Sequence, residues 1–81
     1  MKRLLLTTVL VLGTSAWAGP QEDAKAAVAR SDYAAALEIT RPMAEKGVSW
    51  AQFHLGFMYE RGQGVPQDYA EAVKWFNLAA S

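Results

Sequence analysis

Asp32-Tyr-Ala-Ala-Ala-Leu returns thirty-six residues later as Asp68-Tyr-Ala-Glu-Ala-Val. Aligning 32–45 with 68–81 gives identities at Asp32/Asp68, Tyr33/Tyr69, Ala34/Ala70, Ala36/Ala72 and Ala44/Ala80, with Leu37/Val73 a conservative match. A period of this length belongs to stacked helix pairs, in which no pair can bury its apolar faces alone and each neighbour completes the core. The fold expected of this 81-residue chain is therefore all-α, a short α-solenoid of about two antiparallel helix pairs.

Punctuation places four helices, at about 21–30, 33–46, 50–61 and 69–80. Asp32 and Asp68 stand as N-caps, Asp68 with Glu71 in the spacing of a capping box, and Ser49-x-x-Gln52 has the spacing of another. Gly47 and Gly62 suit the left-handed position that ends a helix. Pro42 removes one backbone donor inside the second helix and predicts a kink there. On the third helix, Trp50, Ala51, Phe53, Leu55, Phe57, Met58 and Tyr59 spread over an apolar arc of roughly 240°, leaving Gln52, Gly56 and Glu60 on the polar remainder. That arc is more than twice the stripe of a one-sided surface helix, so the third helix is expected to be covered on two sides.

Ahead of the repeat lies a segment of different character. Met1-Lys2-Arg3 is basic, Leu4 to Leu12 is an unbroken run without charge, and Ala16-Trp17-Ala18 has small residues where a signal peptidase reads. These are the three regions of a secretory signal peptide, with cleavage expected after Ala18. At about 1.5 Å per residue, Leu4 to Ala18 falls short of a hydrocarbon core roughly 30 Å thick, so no stable membrane anchor is expected after cleavage. The destination read from this segment is the periplasm or the external medium. Lys2 and Arg3 leave with it, so residues 19–81 carry six basic against eight acidic side chains.

The residue inventory narrows the chemistry. There is no cysteine, hence no disulfide, no thiolate metal site and no catalytic thiol. Formal net charge is zero, which gives no electrostatic footprint for nucleic acid. His54 is the sole histidine, and no spacing of acidic residues supplies it with fellow ligands, so no metal or cofactor is expected. Gly62-x-Gly64 reads as a turn and not as a phosphate cradle, because no strand leads into it. Ser31 and Ser49 sit at helix boundaries, outside any nucleophile elbow, and the Asp68/Glu71 pair is used in capping. No nucleophile has a base, and the chain is not read as an enzyme.

From Ala51 onward the pattern Ala51-x3-Leu55-Gly56-x2-Tyr59-x2-Gly62-x-Gly64-Val65-x2-Asp68-x3-Ala72-x2-Trp75-Phe76-x2-Ala79-Ala80 resembles the Sel-one-like repeat, a relative of the tetratricopeptide repeat. Over 21–47 the likeness is partial: the second helix fits, whereas the first lacks the Leu-Gly…Tyr core and the long Gly-Val loop. The resemblance implies a right-handed α-solenoid acting as an exported protein–protein adaptor, with a partner peptide or helix held in a concave groove lined by the third helix. On that helix Trp50, Phe53, Phe57, Glu60 and Arg61 are the partner-binding candidates. The aromatics among them either read a partner or pack against the preceding pair, and the expectation is Phe53 buried with Trp50, Phe57 and Arg61 partly open. The second copy stops at Ala80-Ser81 without a capping glycine, so Trp75 and Leu78 are expected to face water or a second copy. The competing reading is a self-associating structural unit, a homodimer through this fourth helix, or a piece of a longer repeat protein.

Overall fold

The computed structural model describes residues 19–81; the segment read as a signal peptide, 1–18, lies outside them. The described residues form four helices and contain no strand: α1, helical across 19–29, α2 Tyr33–Glu45, α3 Ser49–Arg61 and α4 Tyr69–Ala80. The chain is all-α, in two helix pairs, and α3 packs against both α2 and α4.

Each of the first three helices ends in the same way. After α2, Gly47 takes φ +92°, its N–H donates to Ala44 O at 3.0 Å, and Val48 N–H reaches back to Met43 O at 3.1 Å. After α1 the same pair of bonds runs from Ser31 to Val28 O and from Asp32 to Ala27 O, each 2.8 Å. After α3, Gly62 donates to Met58 O and so does Gln63, at 2.9 Å. Reversed bonds of this kind satisfy carbonyls the helix leaves orphaned and require a left-handed residue just past the end. At α1 that residue is Ser31, with φ +61°, so the first turn closes in two residues without a glycine.

The starts differ more than the sequence suggests. Asp32 accepts from Ala35 N and Asp68 from Glu71 N, as N-caps do. Glu71 does not return the bond; its carboxylate lies 3.2 Å from Lys74 Nζ. The Ser49-x-x-Gln52 box does not form. Val48 is the N-cap of α3, with no side-chain cap, because Val48 N–H is committed to closing α2 and leaves no room for a further turn. Gln52 instead turns inward and donates its amide to Ala44 O at 3.3 Å. Pro42 does not interrupt α2, which runs unbroken to Glu45 with the ring exposed.

The core is built mostly of alanine. Ala24, Ala27, Ala36, Ala44, Ala51 and Ala72 are buried, and Leu55, Met58 and Thr40 are the largest side chains fully enclosed. Small side chains let helix axes approach closely, so α2, α3 and α4 interlock at the level of their backbones. The buried sector of α3 is Ala51, Gln52, Leu55, Gly56 and Met58. It is rotated away from the expected apolar arc: Gln52 and Gly56, assigned to the polar side, are inside, and Phe53, expected inside, is 52% exposed. Two local facts cause the rotation. Gly56 gives α4 a flat seat, and the carbonyl of Ala44 satisfies the Gln52 amide, which removes the cost of burying it.

The loop from Gly62 to Asp68 ties the two pairs together. A Cβ on Gly64 would lie 3.0 Å from Tyr33 O, so the loop backbone rests on the start of α2. Gln67 donates to Glu60 O at 2.8 Å and Asp68 N–H to Tyr59 O at 2.9 Å, anchoring the loop to the end of α3.

Candidate protein-binding surface

Rotating α3 has a direct effect on its aromatic residues. Trp50, Phe53 and Phe57 follow one another at spacings of three and four, which puts them on one side of the helix, opposite the buried sector. The Phe53 and Phe57 rings meet edge to face with centroids 4.8 Å apart. Phe76 from α4 joins them, 5.6 Å from Phe53 and 5.2 Å from Phe57. Gly56 makes this meeting possible, since a Cβ there would stand 2.6 Å from two atoms of the Phe76 ring. Edge-to-face aromatic pairs are worth about 0.5–1.5 kcal/mol each beyond their buried area, so the three rings hold one another in place.

The cluster separates two hollows. The larger, about 760 Å³, lies between α3 and α4 and is lined by Ser49, Trp50, Phe53, Phe57, Glu60, Phe76, Ala79 and Ala80. The smaller, about 320 Å³, lies between α1 and α3, where Gln21, Lys25 and Val28 face Trp50, Phe53, His54 and Phe57. Together they form an open trough with Phe53 on its central ridge. Arg61 closes one end of the ridge, its guanidinium carbon 5.0 Å from the Phe57 ring centre, a contact of about 0.5–1 kcal/mol at an exposed site.

The five partner-binding candidates are thus brought together: Trp50, Phe53, Phe57 and Glu60 line the trough and Arg61 caps Phe57. Trp75 and Leu78 are not. Trp75 is half-buried against the core beneath Lys74, and its indole Nε1 is enclosed without a hydrogen-bond partner in the protein. Only Leu78, 45% exposed, faces water as expected. Phe76, taken from the sequence as a packing position of the repeat, is also a wall of the trough. The signal was present: a glycine in the middle of α3 makes room for a bulky neighbour, and α4 offers Phe76.

His54 sits at the edge of the smaller hollow, its Nδ1 3.2 Å from Thr40 Oγ1. Burial removes water from the ring and pushes its pKa below the ordinary histidine value. A depressed folded-state pKa means that the unfolded chain binds the proton more readily, so the associated stability is complete above the unfolded value of about 6.5. It is lost as pH falls from there through the folded value. Thermal unfolding between pH 7.5 and 4.5 should therefore show a decrease that His54→Gln flattens; equal slopes in both proteins would place the acid sensitivity elsewhere. Among the described residues, no three or more His, Asp or Glu side chains are grouped to hold a metal ion, and no helix is long and apolar enough to cross a membrane.

Residues 51–81, α3 through the end of α4, match the Sel1 repeat family. The second helix pair is a Sel1 repeat. Its signature residues have the places just described: Ala51, Leu55 and Ala72 in the core, Gly56 under Phe76, Gly62 and Gly64 in the loop, Asp68 as cap, and Tyr59 within 3.5 Å of Arg41 on α2. Among curated proteins, DAP3-binding cell death enhancer 1 of Rattus norvegicus, also a Sel1-type repeat protein, is 40% identical over 42 residues. That stretch is 52% of this chain and 8% of the relative, so the chain spans less than a tenth of that protein's length. No solved structure matches. Sel1 repeats mediate protein–protein interaction and are not typically enzymatic.

Proposed function

We propose that this chain is an exported protein-binding module that holds an apolar helix or peptide of a partner in the trough along α3. The observation that carries the reading is Phe53. A ring that is 52% exposed, yet fixed by two neighbouring rings at the centre of an apolar trough, is a preorganised anchor for another protein. Interface energy concentrates in such central aromatics, surrounded by contacts that mainly exclude water. Glu60 and Arg61 at one end supply opposite charges that can set a ligand's direction, and rim charges act on orientation and rate more than on affinity. The rat relative's name describes a protein that binds another protein, which supports the class of activity and leaves the partner's identity open. Export rests on the basic start, the Leu4–Leu12 run and Ala16-Trp17-Ala18.

The test uses protein recovered after export, whose first residue is Gly19 if the leader is removed as read. Helical peptides selected from a display library should bind it, and Phe53→Ala should weaken them about tenfold, a loss of about 1.4 kcal/mol. Thermal unfolding should hardly change, because the side chain is half in water. Selected peptides that bind wild type and variant alike would remove the trough from the function, and a retained leader would remove the export.

A further inference from the structure

The thirty-six-residue offset pairs a stripe on α2 with a stripe on α4. The first is Tyr33, Leu37, Thr40 and Ala44; the second is Tyr69, Val73, Phe76 and Ala80. Spacings of four, three and four put each set on one face of its helix. The fold covers the α2 stripe. Thr40 is 0% exposed and bonded to His54, Ala44 is 1% exposed with its carbonyl taken by Gln52, and the Gly64 turn rests on Tyr33. The α4 stripe is bare: Tyr69 is 65% and Val73 56% exposed, Ala80 is exposed, and Phe76 is half-buried.

We propose that a second copy of this chain covers it, α4 packing antiparallel on α4 about a two-fold axis. The stripe complements itself in that register. Tyr69 meets the partner's Ala80, large against small, and Val73 meets the partner's Phe76, with the axis between them. Both ends make the same contact, so the interface closes as a dimer and does not propagate. Nothing charged lies in the stripe, and its outer border is Ala70 and Asn77, so apposing two copies buries no ion. Stacking head to tail would be worse: α1 turns Glu22, Asp23 and Lys25 outward, and these would be set against the apolar stripe. Neither Trp75 nor Leu78 takes part, the first being turned to the core and the second lying on the opposite flank of α4. The interface is separate from peptide binding at Tyr69 and Val73, which do not line the trough.

Sedimentation of the purified protein over about a hundredfold concentration range should show a reversible dimer, since association driven by mass action depends on concentration. Val73→Asp, at an exposed position, should raise the dimer dissociation constant at least about tenfold with helicity unchanged. The absence of native cysteine permits a register test independent of that variant. A mixture of Tyr69→Cys and Ala80→Cys chains should form a mixed disulfide on oxidation, while Tyr69→Cys alone should not cross-link. A monomer at every concentration, a dimer indifferent to Val73→Asp, or cross-linking of Tyr69→Cys to itself would each overturn the proposal. Peptide binding lost in Phe53→Ala with dimerisation intact, or the reverse, separates this surface from the trough.

Discussion

Leu55→Ala should leave the protein largely unfolded at 37 °C. Leu55 is 0% exposed, and its buried neighbours are Ala27, Ala36, Ala44, Ala51 and Met58. Leucine-to-alanine changes in cores cost about 2–5 kcal/mol, and the upper end applies where surrounding groups cannot move into the space. Alanine has no rotamer with which to do so, because its Cβ is fixed by the backbone. Only Met58 is flexible enough to lean inward. At about 0.05–0.15 kcal/mol per residue, a folded unit of this size holds roughly 3–9 kcal/mol, so one truncation removes about half or more of it. Urea unfolding followed by helical circular dichroism measures the loss. Leu78→Ala is the control: half in water, it should cost less than about 1 kcal/mol. Equal losses at Leu55 and Leu78 would mean that the alanine-lined core is not the source of stability.

Much of this arrangement is legible in the sequence, for reasons that can be named. Helix ends are local: Asp32, Asp68, Gly47 and Gly62 bond to residues within five positions, so their types identify the boundaries. The helix-pair period is legible because stacking repeats the same environment for Tyr33 and Tyr69, or Ala36 and Ala72. The orientation of α3 about its own axis is not local. Whether Gln52 or Phe53 faces inward depends on whether a carbonyl from α2 lies within reach of the Gln52 amide, and on where the Phe76 ring arrives from α4. Hydrophobicity by itself favours burying Phe53 and exposing Gln52. A glycine in a helix interior and a paired amide overrule it, and the same rotation leaves an aromatic trough open to partners. The first pair, which resembles the repeat only in part, follows the same logic with Ser31 in place of a glycine. Its short turn explains why the Gly-Val loop has no counterpart there.

Gly56→Leu should destabilise the protein by about 3 kcal/mol, the upper end of what overpacking costs, even though leucine is the better helix former by nearly 1 kcal/mol. The reason is the Phe76 ring, three of whose atoms would lie 2.6–3.1 Å from a Cβ at Gly56. The ring cannot swing aside freely, since Phe53 and Phe57 hold it from the α3 side, so α4 itself must move away from α3. The effect then reaches the trough, because Phe76 forms one of its walls. A second substitution isolates the cause. Phe76→Ala alone should be destabilising through the lost ring contacts, yet in the Gly56→Leu background it should restore stability by opening the space the leucine needs. The coupling between the two changes should exceed about 1 kcal/mol, as expected of side chains in direct contact. Additive losses would show that Gly56 is kept for some purpose other than seating Phe76, and the account of how the trough is built would fall with it.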